Sequence, residues 1–100
     1  MQPTITEIEE FLKEQMNDAD LIATQKKISG PRIQEYHKKL IGGEIPPPIK
    51  VENRLIVEGH HRYISGMMFG KLPEKIPWTA AHSTQKVMWK DMIVDTLNWE

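Results

Sequence analysis

Cysteine is absent from the 100 residues of this chain, which removes disulfides, thiolate metal sites and thiol nucleophiles at one stroke. The absence fits a reducing compartment, and a cytoplasmic location is the expectation. No apolar run approaches the roughly 20 residues needed to cross a bilayer. The N-terminus also lacks the basic-then-apolar layout of a signal peptide, so no membrane association is expected. Aromatic residues are sparse, at 7%. An excess of either charge is missing as well: 13 basic against 14 acidic side chains leave a net charge of −1. That balance excludes coating of nucleic acid by bulk charge and leaves only a local basic patch for such a task. Internal repeats and low-complexity segments are lacking too.

What is present is the composition of a folded chain, with 39% apolar and 27% charged residues. The length suits one domain around one small core. Thr6 and Glu9 have the spacing of a capping box, and Ile5, Ile8, Phe11, Leu12 and Met16 recur at helical intervals, so a helix is predicted over roughly 6–16. Asn17 and Asp18 interrupt it, and Leu21 and Ile22 suit a short second turn. Ser29-Gly30-Pro31 is a break, with Pro31 fitted to the first turn of a second helix. Ile33, Tyr36, Leu40 and Ile41 mark one face of that helix, and Gly42-Gly43 ends it.

Pro46, Pro47 and Pro48 impose extended backbone. Ile49-Lys50-Val51 and Leu55-Ile56-Val57 then read as two strands of a hairpin across Glu52-Asn53-Arg54. Gly59 ends the second strand, and His60 to Phe69 carries a helical pattern closed by Gly70. Ile76-Pro77-Trp78 resumes extended structure. For the last 20 residues, helix and strand are equally compatible with Val87, Met88, Met92, Ile93 and Val94. The expected class is α+β, a small mixed β-sheet packed with helices. Residues 1–28 are expected to form an N-terminal helical segment, and residues 29–100 the core of a single compact domain.

The chemistry concentrates in Leu55-Ile56-Val57-Glu58-Gly59-His60-His61-Arg62-Tyr63. A strand enters, a glycine turns the chain, and polar residues occupy the first turn of a helix. The leading amides of a helix lack intrahelical partners, and the macrodipole adds positive charge there. Such an end accepts phosphate or carboxylate. Gly59 allows close backbone approach, Arg62 offers a planar fork for anionic oxygens, and His60 or His61 can donate hydrogen bonds or carry a proton. Glu58 is a candidate base or water-mediated Mg²⁺ holder, against the plainer alternative of an acid paired with Arg54 or Lys50. A glycine that only turns the chain, a surface-paired Arg62 and exposed histidines make up the competing plain reading.

The stretch from Gly43 to Trp78 resembles the core of the ParB/sulfiredoxin superfamily, the ParB-like nuclease domain. The resemblance runs through Pro47-Pro48-Ile49-Lys50-Val51, through Leu55 to Tyr63, and on through Gly70 and Ile76-Pro77. It implies a phosphate-contacting pocket at the Gly-x-x-Arg turn, here Gly59, His60, His61 and Arg62. Sulfiredoxins carry a reactive cysteine in this turn; His60 and His61 fill the variable places here, which rules out sulfinic-acid reduction. The stretch after Trp78 is too short for the helix-turn-helix and dimerisation domains of chromosome-partition ParB proteins. The chain is most similar to small stand-alone members: nucleotide-dependent kinases, putative nucleases and domains associated with bacterial polymorphic toxins.

Other residues carry weaker signals. Glu44 is a lesser candidate for the role of Glu58, and His37, between Tyr36 and Lys38-Lys39, reads as solvated. His82 lies in a polar segment that could reach the site. A His60/His61/His82 metal cluster is disfavoured because adjacent helical histidines diverge, and no metal ligand is assigned. Trp78, Trp89 and Trp99 are either base-stacking platforms or core anchors. Lys26-Lys27, Arg32 and Lys38-Lys39 are either a basic face for a nucleic-acid backbone or, on the plainer reading, solvated helix faces.

The functional expectation is a ParB-like domain binding a nucleotide or nucleic-acid phosphate at Gly59 to Arg62. Nuclease or phosphoryl-transfer activity, with His60, His61 and Glu58 as catalytic candidates and Mg²⁺ and a nucleotide as candidate cofactors, extends that reading. The alternative is a non-catalytic protein-interaction or DNA-binding module, with Met67-Met68-Phe69 and the terminal tryptophan, Trp99, as its surface.

Overall fold

The computed structural model describes residues 2–80 and 84–100. Helix α1 (Ile5–Glu14) opens with a capping box, but the pair is Thr4 and Glu7 rather than Thr6 and Glu9. The Glu7 amide donates to Thr4 Oγ1 at 3.1 Å and the Thr4 amide to Glu7 Oε1 at 2.9 Å. Two T-x-x-E strings overlap here. The earlier one acts because Pro3, whose carbonyl accepts from Gln34 at 2.8 Å, anchors the chain just before Thr4. The inward face of α1 buries Ile8 and Leu12, and Met16 follows into the core just past the helix end.

Strand β1 (Lys27–Ser29) leads directly into helix α2 (Gly30–Ile41). Ser29 caps α2 by accepting the Arg32 amide at 3.2 Å, and Pro31 sits in the first turn, where its missing donor costs nothing. After Gly42 and Gly43 the chain runs extended to the hairpin of β2 (Ile49–Glu52) and β3 (Leu55–Glu58), which turns at Asn53 and Arg54. Helix α3 (His60–Phe69) follows and packs along α2. Strand β4 (Lys75–Pro77) then returns parallel to β2, giving a mixed sheet of order β3-β2-β4.

Within the ambiguous final stretch, the described residues form a 3-10 turn (Trp89–Asp91) and a strand, β5 (Ile93–Asp95), which pairs parallel with β1 in a second sheet. Trp89 decides the outcome: its buried ring donates from Nε1 to the Leu21 carbonyl at 3.0 Å and holds the segment flat against the core. Instead of a helical turn, Ile22 and Ala23 form isolated bridges to Leu55 and Val87.

Ile8, Leu12, Met16, Ile28, Ile33, Ile49, Ile56 and Ile64 are fully buried in one cluster. Ile8, Leu12, Met16 and Ile28 thus bring the N-terminal segment into the common core. The result is a small α+β domain, with three helices and two small sheets among the described residues. No helix among the described residues is long and apolar enough to cross a membrane.

Candidate functional site

The junction of β3 and α3 requires a glycine twice over. Gly59 has φ +114°, where side-chain-bearing residues are strained. A Cβ added to it would lie 2.4 Å from Ile49 Cγ2 and 2.8 Å from Ile49 Cβ. The turn thus presses against the first residue of β2, and α3 starts immediately afterwards. The first bond of the helix runs from the Tyr63 amide to the Gly59 carbonyl at 2.9 Å. The amides of His60, His61 and Arg62 precede that ladder, and no side chain caps the helix start.

Both histidines turn inward, His60 being 3% and His61 5% exposed. They diverge, as neighbours on a helix must. His60 Nε2 accepts the Thr24 amide hydrogen at 3.0 Å, while the Thr24 hydroxyl donates to the Ile56 carbonyl at 2.6 Å. His61 Nε2 accepts the Ser29 amide hydrogen at 2.8 Å. A neutral imidazole that accepts at Nε2 carries its hydrogen on Nδ1. Burial pushes the His60 pKa down to about 4, with repulsion from His61 adding to it. His61 is also pushed down to about 4, first by burial and further by Arg32 and Arg62, against an opposing pull from Glu100. The expectation of exposed histidines therefore gives way to a buried pair that pins two backbone segments.

Arg62 does not hold its fork out to solvent. One terminal nitrogen donates to the Pro48 carbonyl, the other lies 3.2 Å from Glu58 Oε1, and Nε is buried without a partner among the described residues. Glu58 Oε2 in turn lies 3.7 Å from Lys50 Nζ. Glu58 is thus an acid paired to two cations, which includes the Lys50 pairing of the plainer reading.

A cavity of about 410 Å³ opens at this helix start, lined by Gln25, Val57, Trp99 and Glu100 together with Glu58, Gly59, His60, His61 and Arg62. All five residues singled out in the sequence line one space. Trp99 and Glu100 arrive from the far end of the chain. Ser29 Oγ donates to the Leu97 carbonyl at 2.7 Å and accepts the Trp99 amide hydrogen at 3.3 Å. Tyr36 donates to Glu100 Oε2 at 2.6 Å, and Trp99 Nε1 donates to Asp95 at 2.9 Å. Burial together with the Glu100 carboxylate pushes the Tyr36 hydroxyl up to about 12. Nothing local in the sequence marks Glu100, and only its aromatic character marked Trp99.

The remaining candidates fall elsewhere. His82 lies outside the described residues. His37 is half-buried rather than solvated, edge-on to Phe69 at 5.5 Å. Glu44 lines a separate small cleft with Tyr36, Pro46 and Pro47. Trp89 is a core anchor, and Trp78 is exposed beneath Lys50 Nζ, 4.2 Å from the ring centroid. Met67 and Met68 pack partly buried against the core, so only Phe69 of that trio is exposed. Two of the basic residues are paired with acids: Arg32 lies 3.5 Å from Glu35 and Lys27 3.9 Å from Asp95.

As a holder of Mg²⁺, Glu58 fits poorly, because both its oxygens already face cations. Among the described residues no group of three or more metal-ligating side chains converges. No known protein family, curated protein or solved structure matches this chain.

Proposed function

We propose that the chain binds the phosphate of a nucleotide or nucleic acid at the start of α3, as a small domain of ParB/sulfiredoxin type. The observation that carries this reading is the uncapped helix start at Gly59, opening into a cavity of about 410 Å³. Three amides precede the ladder, the macrodipole favours an anion there, and Gly59 presents no side chain at the turn. Arg62 contributes charge beside the cavity rather than a free fork, since Pro48 and Glu58 hold it.

Binding is favoured over phosphoester hydrolysis or phosphoryl transfer. A proton carrier works best with a pKa near the working pH, whereas both histidines are pushed down to about 4. Their Nε2 atoms are also occupied by backbone amides. No step through Mg²⁺ is derived, given the commitments of Glu58. The protein-interaction alternative loses support because Met67 and Met68 are drawn into the core.

Calorimetric titration with inorganic phosphate, a mononucleotide and short DNA or RNA tests the reading, with Arg62→Ala alongside. Saturable, salt-sensitive binding that weakens in Arg62→Ala is the expected result. Absence of saturable binding by every one of these ligands would overturn it. Incubation with nucleic acid and Mg²⁺ is expected to give no turnover.

A further inference from the structure

Resting on the phosphate-binding reading, we infer that Trp99 makes this cavity selective for one phosphate group carried by an unpaired base, that is, a nucleoside monophosphate unit. Of the three tryptophans, Trp89 is buried in the core and Trp78 lies under Lys50, while Trp99 forms a wall of the cavity. Its indole is half-buried and held from three sides. Nε1 donates to Asp95 at 2.9 Å, the backbone amide donates to Ser29 Oγ at 3.3 Å, and the ring meets His61 at 83° with centroids 5.2 Å apart. A ring fixed in this way loses little freedom when a base stacks on it.

The cavity therefore joins two chemically different features, the uncapped start of α3 and the half-buried indole of Trp99. The volume of about 410 Å³ lies within the range of small-ligand sites. Charge sets the phosphate count. Glu58 and Glu100 both line the space, against Arg62 as the cation among the described lining residues. One phosphate is accommodated by the helix start; a second and third would meet carboxylates. Stacking needs an exposed base face, so a paired duplex does not satisfy the site.

The test uses the full chain and five probes: inorganic phosphate, ribose 5-phosphate, a nucleoside monophosphate, its triphosphate, and a short single-stranded oligonucleotide. The monophosphate is expected to bind about tenfold more tightly than ribose 5-phosphate, an increment of the size of one base–aromatic stack. Trp99→Leu should erase that increment, read as the ratio of monophosphate to ribose 5-phosphate affinity within the variant, while Trp99→Phe retains most of it and guards against a folding artefact. A Trp99-dependent increment on the oligonucleotide assigns the unit to a polymer; the same increment confined to the free monophosphate assigns it to a metabolite. Equal binding of ribose 5-phosphate and monophosphate by the wild type overturns the inference while leaving the phosphate pocket standing. Tighter binding of the triphosphate overturns the single-phosphate assignment. Failure of every probe removes the pocket itself.

Discussion

His61 Nε2 accepts the Ser29 amide hydrogen at 2.8 Å, so the first turn of α3 is tied to the residue that caps α2. The same Ser29 hydroxyl reaches the Leu97 carbonyl and the Trp99 amide. One serine thus joins the two helix starts to the final stretch of the chain and sets the wall of the cavity. Disturbing any member of this set is expected to register at the others.

Acid should loosen this arrangement. Both histidines stay neutral in the folded chain down to about pH 4, whereas unfolded rings protonate near 6.5. Between those values the unfolded state binds more protons, so their contribution to stability is complete above about 6.5 and declines as pH falls toward 4. The slope should be roughly 1 kcal/mol per pH unit for each histidine. Urea titrations across that window measure it, and His61→Gln, which keeps an acceptor without a titration, should flatten the curve.

Glycine substitutions should separate strain from crowding. Gly59→Ala combines a φ of +114° with a clash against Ile49, and a loss of about 3 kcal/mol is expected. Gly43 has φ +89° with nothing within 4 Å of an added Cβ, so Gly43→Ala should cost about 1 kcal/mol. Denaturant midpoints for the two variants compare the terms directly.

Arg62→Ala leaves the Pro48 carbonyl and Glu58 without their guanidinium. A loss of about 1–3 kcal/mol is expected, together with weaker phosphate binding. Arg62→Lys should restore little of either, because an ammonium does not reproduce the two-pronged contact. Thermal melts paired with phosphate titration distinguish the structural loss from the electrostatic one.

Ser29→Ala removes the cap of α2 and the anchor of the final residues. The cap alone is worth about 1 kcal/mol. Because the segment carrying Trp99 loses its tie, faster proteolysis near residues 96–100 is expected in this variant, read by mass spectrometry of the fragments.

Much of the local structure was legible in the chain. Pro31 and Gly42 bounded α2, the alternation of Ile49-Lys50-Val51 and the apolar run Leu55-Ile56-Val57 marked the hairpin, and Gly59 marked the turn, because each of these signals acts over a few residues. Where two local signals competed, as with the overlapping T-x-x-E strings, the anchoring of Pro3 by Gln34 favoured the earlier one. Strand β1 escaped notice because three residues carry no period of their own; its partner β5 lies near the other end of the chain.

By itself, the sequence determined that a glycine-led helix start would exist and which five residues would stand at it. Backbone preference and helix periodicity are local properties, written in neighbouring side chains. Tertiary structure alone decided what those residues do: it buried His60 and His61 on the Thr24 and Ser29 amides, turned Arg62 onto Pro48 and Glu58, and brought Trp99 and Glu100 to the cavity. Those outcomes depend on which distant segment each side chain meets, and packing around a shared core settles that.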